Sequence, residues 1–299
     1  MPNWKEVLEE IAKVAAEGGQ ALDVVRRKYL NEIQEYSGRN VIAYYSGWLQ
    51  RPTHGDTAVN DKDVSGFMLN IHKLDRSKGL DLILHTPGGS VTATEALVRY
   101  LKKMFGKDIR AIVPQLSMSA GTMIAFACKE IVMGKHSSLG PVDPQLGNMP
   151  CQAVLAEFEQ ARQDILKDPK HAALWQFVIS KYHPTFLSTC QHAVDLTGSL
   201  VEEWLMDNMC GGNKPATDKI MKVFSSHDDS KTHARHIMAD QCKRSGVKVV
   251  ELEKDDKLQD LVLTTHHAFM HTFSNTGALK IIENHLGVAF IEHLPPKTN

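Results

Sequence analysis

The chain has 299 residues, 42% hydrophobic and 23% charged, proportions of an ordinary globular protein and not of a disordered or fibrous one. Lysine plus arginine (34) nearly balances aspartate plus glutamate (35), so bulk charge gives no electrostatic case for nucleic-acid or anionic-membrane binding. Cys128, Cys151, Cys190, Cys210 and Cys242 are scattered and form no CxxC pair, the pattern of reduced thiols in a cytosolic protein.

"MPNWKEVLEEIAKVAAEGG" lacks the basic and apolar blocks of a signal peptide, and no run approaches the ~18 consecutive apolar residues of a membrane helix. A soluble, cytoplasmic protein is expected. Val7, Ile11, Val14, Ala15 and Leu22 recur at helical spacing, with Gly18-Gly19 as a break, so residues 1–37 are expected to form a helical arm. "RNVIAYYSGWL" (39–49) has strand composition. Residues 50–63 are polar and read as a loop, and 64–74 as a helix with Phe67 and Ile71 on one side.

Three strands follow: "GLDLILHT" (79–86), "DIRAIVP" (108–114) and "EIVMG" (130–134). Their consecutive apolar residues predict burial on both faces. Between the first two lies a helix (92–105), with Thr92 and Glu95 expected as its capping box. The β-α-β-α-β order implies a parallel sheet. Residues 150–224 read as mainly helical, with Trp175 and Trp204 as helical core; 232–246 and 257–273 read as helices; 247–253 and 288–294 as strands. With no repeat or clear linker, residues 38–299 are expected to be one α/β domain with helical elaboration at about 150–224.

Two glycine-bearing corners each follow a predicted strand and open a helix, where open α/β sheets place ligands. "TPGG" (86–89) can bring backbone N–H groups close to a substrate oxygen, and "SMSAG" (117–121) offers hydroxyls at a helix start. An oxyanion forming there would be favoured by the helix dipole. Taken alone, Ser119 reads as a simple N-cap, since N-cap serines far outnumber nucleophiles.

The stretch "ILHTPGGSVTATEALVRYLKK…IRAIVPQLSMSAGTMIAFACKEIVMGKHSSLGPVDPQLG" resembles the Clp-fold serine peptidases. It is most similar to the serine dehydrogenase proteinase family, relatives of the Clp protease proteolytic subunit and signal peptide peptidase A. The resemblance is dense over residues 79–147 and thinner to about 250. It implies a Clp/crotonase-like fold and a serine endopeptidase working through an acyl-enzyme. It puts the nucleophile at Ser119, not Ser117, and the oxyanion hole at the amides of Gly89 and Ala120. It implies a triad in the order Ser, Asp, His, with Asp143 of "GPVDPQ" and His233 of "THARHI". Ala234 and His236 depart from that family's usual T-H-D-x-P-I, and His136 and His236 stay open as other bases. A peptide or protein substrate and a homo-oligomer are implied, with any unfoldase partner open.

No cofactor is expected. His267 and His271 stand i, i+4 on a helix beside His266, and "HARH" (233–236) is similar, but the glutamate of H-E-x-x-H is missing, and packed or solvated histidines are expected instead. Two rival functions use the same features: a non-proteolytic scaffold or binding protein, and a crotonase-like acyl-thioester enzyme that needs the two amides but no nucleophile.

Overall fold

Consecutive apolar residues along the strands are buried because helices cover both faces of the central sheet. In the computed structural model, residues 4–147, 149–225 and 234–295 are described. Two helices come first, α1 (Trp4–Ala16) and α2 (Ala21–Ser37), followed by β1 (Asn40–Ser46), α3 (Lys62–Ile71), β2 (Leu80–His85), α4 (Val91–Phe105) and β3 (Ile109–Val113). Next are β4 (Leu116–Ser117), α5 (Ala120–Phe126), β5 (Glu130–Met133), β6 (Ser138–Leu139) and a small hairpin, β7 (Gln145–Leu146) with β8 (Met149–Pro150). The helices α6 (Cys151–Lys167), α7 (Ala172–Ile179), α8 (Phe186–Trp204) and α9 (Lys214–Ser225) follow, with Trp204 of α8 and Phe224 of α9 reaching the main core. The chain closes with β9 (Ile237–Met238), α10 (Ala239–Ser245), β10 (Val249–Glu251), α11 (Asp256–Asn275), β11 (Ala278–Asn284) and β12 (Ala289–His293).

The main sheet has the order β10-β5-β3-β2-β1-β11-β12. The strands from β10 to β1 run parallel, and β11 and β12 add an antiparallel edge. This is the mixed α/β fold with a mostly parallel sheet that the sequence predicts. Side chains alternate between two cores. Ile42, Tyr44, Leu82 and Leu84 face one that includes Phe67, Leu97, Ile124, Phe126 and Trp204. Val41, Ala43, Tyr45 and Ile83 face the other, with Leu30, Ile33, Phe269 and Phe273 of α2 and α11. A second sheet, β4-β6-β9, is short and stands beside the ends of β2 and β3.

Some expectations need correction. The helix expected over 232–246 begins at Ala239, because Ile237 and Met238 pair with Leu139 and Ser138. Residues 232 and 233 lie outside the described residues. The cap of α4 is Ser90, whose hydroxyl accepts from the Ala93 N–H at 3.2 Å, not Thr92. Trp204 is core, but Trp175 sits on α7, which has no buried residue. Among the described residues, no helix is long and apolar enough to cross a membrane.

Candidate active site

The ends of β2 and β3 deliver two corners to one place. After β2 the chain turns through Thr86-Pro87-Gly88-Gly89 into α4; after β3 it passes through β4 and Ser119 into α5. Backbone bonds lock the corners together: the Thr86 N–H donates to the Leu116 carbonyl (3.1 Å) and the Met118 N–H to the Thr86 carbonyl (3.0 Å). At Gly88 the approach is so close that a Cβ would lie 2.7 Å from the Ser119 Cβ and 2.8 Å from the Ala120 nitrogen. Its φ of +96° also favours glycine.

Gly89 is bracketed by a third segment. The Val59 N–H donates to the Gly88 carbonyl (2.8 Å), and the Ser90 N–H donates to the Val59 carbonyl (2.9 Å). In such a parallel bridge the middle residue turns its own N–H and C=O the other way, so those of Gly89 point away from Val59. A Cβ on Gly89 would meet Val59 backbone atoms at 2.4 Å. Among the described residues, the Gly89 and Ala120 amides have no hydrogen-bond acceptor. Two unpaired donors on neighbouring corners form the kind of site that holds an oxygen as it gains negative charge.

Ser119 has φ +50°, ψ −115° and stands at the N-cap of α5, yet its side chain makes no capping hydrogen bond. An ordinary cap would use the hydroxyl on the helix N–H groups. A strained non-glycine backbone of this kind costs of order 1–3 kcal/mol and persists where its surroundings hold it. Ser117 is fully buried, its hydroxyl packed where a Cβ on Gly121 would approach to 2.6 Å.

Ser119 lines a cleft of about 510 Å³ whose walls also include Gly88, Gly89 and Asp143. Met123, Val142, Leu146 and, from α8, Ala193, Leu196 and Thr197 supply mostly apolar walls. Asp143 is almost completely buried. The thiol of Cys151 is pushed up to about 12, first by burial, then by its hydrogen bond with Cys190, with a further contribution from the Asp143 charge.

Ser119, Gly89 and Asp143 thus line one cleft, with the Ala120 nitrogen close beside Gly88, and His233 lies outside the described residues. Among the described residues no imidazole lines the cleft. His136 meets the Pro114 carbonyl through Nε2 (2.9 Å), and His236 meets the Ser138 hydroxyl through Nδ1 (3.2 Å). His271 packs on Trp4, with ring centroids 3.8 Å apart, and its Nε2 meets the Trp4 carbonyl at 3.0 Å; His267 stands edge-on to the same indole. Among the described residues, no group of three or more His, Cys, Asp or Glu could hold a metal ion. Sequence reasoning missed the role of Val59, placed in a polar loop, and the α8 wall. The short apolar "AV" between Thr57 and Asn60 was the one available signal.

Comparison with known proteins bears on this site directly. Two uncharacterized proteins of Methanocaldococcus jannaschii are similar: MJ0137, 34% identical over 152 residues (49% of this chain and 52% of the relative), and MJ1495, 33% identical over 138 residues (44% and 46%). The chain therefore spans about half the length of these curated relatives. A solved structure of a ClpP1 point mutant from Listeria monocytogenes aligns over 75% of this chain and 98% of that one, at 11% identity and a TM-score of 0.36. The family model for the ClpP-like SDH-type serine proteinases matches residues 18–178. That span holds both corners, Ser119 and Asp143 and covers more than half of the chain, which thereby belongs to the ClpP-like SDH-type serine proteinase family.

Proposed function

We propose that the protein is a serine peptidase that cleaves peptide bonds through an acyl-enzyme at Ser119. The supporting observation is the pairing of an uncapped, partly exposed Ser119 hydroxyl with the two unpaired amides of Gly89 and Ala120. A neutral serine is a weak nucleophile, so a base must take its proton as the Oγ–C bond forms. We assign that base to His233. β9 pairs antiparallel with β6, so residues 234–236 approach β9 from the side on which the chain leaves β6 towards Asp143. Asp143 would accept the imidazole N–H, fix its tautomer and stabilise the imidazolium.

In the first half-reaction, Ser119 Oγ attacks the scissile carbonyl and the oxyanion is held by the Gly89 and Ala120 N–H groups. His233 then returns the proton to the leaving amine. In the second half-reaction water attacks the ester, His233 takes a proton from it, and Ser119 is regenerated. The substrate is a peptide or unfolded protein segment entering the cleft. A homo-oligomer working in the cytoplasm completes the proposal.

Hydrolysis of fluorescein-labelled casein tests the reading. The wild-type protein should release soluble peptides, and Ser119→Ala should not. Equal release by both, or coenzyme A thioester turnover that survives Ser119→Ala, would favour the crotonase-like alternative. A wild-type protein that binds unfolded chains without cleaving them would be a scaffold.

A further inference from the structure

Lys280, on β11, is completely buried, as is Asp63 of α3, and their charges meet at 2.7 Å. A buried pair of this kind is weak evidence for a stabilising role, since apolar residues of similar volume often serve as well. Its position points to another use. Lys280 Nζ also donates to the Ala58 carbonyl at 2.8 Å. The second oxygen of Asp63 accepts from the Asn60 N–H at 2.9 Å and from the Tyr44 hydroxyl at 2.8 Å. Burial first, and the Asp63 charge second, push the Tyr44 phenol well up, which keeps it a donor. Ser46 Oγ holds the Thr57 carbonyl. Residues 57, 58 and 60 are thus each fixed by a buried side chain. The residue left between them, Val59, bonds to Gly88 and Ser90 on either side of Gly89.

We propose that Lys280 and Asp63 are positioning residues for the Gly89 amide: through Ala58, Asn60 and Val59 they set the depth and direction of one oxyanion donor. This rests on the peptidase reading for its catalytic consequence, but the mechanical coupling stands apart from it. Neither residue touches the reacting atoms. Removing them should shift a donor whose placement matters to fractions of an ångström, and a 1 Å error in such a group costs about 100-fold in rate.

Two variants test this: Lys280→Met, and Lys280→Met with Asp63→Asn, which removes both charges of the pair; Glu292, which also meets Lys280 at 3.5 Å, keeps Lys62 at 3.3 Å. Hydrogen–deuterium exchange read by mass spectrometry should rise about tenfold at the Val59 and Ser90 amides, as for one weakened hydrogen bond, and stay unchanged across β3. With a fluorophosphonate probe, the maximal inactivation rate should fall about 10- to 100-fold, while the half-saturating probe concentration stays put. Unchanged exchange in the double variant overturns the proposal. So does faster exchange with an unchanged inactivation rate. A wild-type protein that takes no probe defeats the peptidase reading instead, and the exchange result then decides the positioning claim alone.

Discussion

Gly88→Ala is the sharpest perturbation of the site geometry. The new Cβ would lie 2.7 Å from the Ser119 Cβ and from the Met118 carbonyl, and 2.8 Å from the Ala120 nitrogen. Carbon atoms rest at about 3.5–4.0 Å, so the corners must part by about 0.8 Å or more. That displacement moves the proposed nucleophile and one proposed oxyanion donor together, and should slow acylation by about 10- to 100-fold. The backbone adds strain, because φ at Gly88 is +96°, a region that disfavours a side chain by about 1–2 kcal/mol. Gly38→Ala separates the two effects. Gly38 also has a positive φ (+68°), yet a Cβ there would meet nothing within 4 Å, and the residue does not line the cleft. It should lose about 1 kcal/mol of stability with acylation unchanged. The assay is the second-order rate of fluorophosphonate labelling, with thermal unfolding in parallel. Wild-type labelling by Gly88→Ala would refute the claim that the corners converge on Ser119.

Other outcomes follow from particular contacts. Ser117→Ala should label at the wild-type rate, because that hydroxyl is buried, whereas Ser119→Ala should not label. Asp143→Asn should remain folded by circular dichroism and lose about 10³–10⁴ in casein hydrolysis, as expected when the orienting carboxylate of a triad is neutralised. His236→Ala should hydrolyse casein within about twofold of wild type, since its ring serves Ser138 and surface changes of this kind have small effects; a loss of 10³ would make it the base. Stability should fall in acid. Burial first, then the charges of His267 and His136, lower His266 from 6.5 to about 3. Above 6.5 both folded and unfolded chains hold it neutral; between 6.5 and 3 only the unfolded chain takes the proton. At pH 5 the cost is about 2 kcal/mol, and the buried His85, also lowered by burial, adds in the same direction. Urea unfolding at pH 7.5 and pH 5.0 should show this loss, and His266→Gln should reduce it.

The parallel core was legible because β2, β3 and β5 carry unbroken apolar runs, and the two corners because glycine and serine stand where those strands end. β11 was not. "ALKIIEN" is buried along its whole length, but Lys280, Glu283 and Asn284 break its apolar pattern. Each is buried only because a distant partner meets it: Lys280 with Asp63, Glu283 with Arg26 and Arg27, Asn284 with the Asn70 carbonyl. Pairings across more than two hundred residues leave no local signature. The same holds for Val59, whose place beside Gly89 is set by the sheet and not by its neighbours in sequence. The start of α10 was misjudged for a related reason: two residues of a helix-like segment are claimed by β6. At the site, the resemblance carried by "SMSAG" points to Ser119 and not Ser117, while the burial of Ser117 and the place of Ser119 on the cleft are visible only in the folded chain.

Mass spectrometry of the intact protein after fluorophosphonate treatment, followed by peptide mapping, tests the central claim most directly. The predicted result is one adduct per chain, on Ser119, lost on prior denaturation. An adduct on any other residue, or none on the native protein, would contradict it.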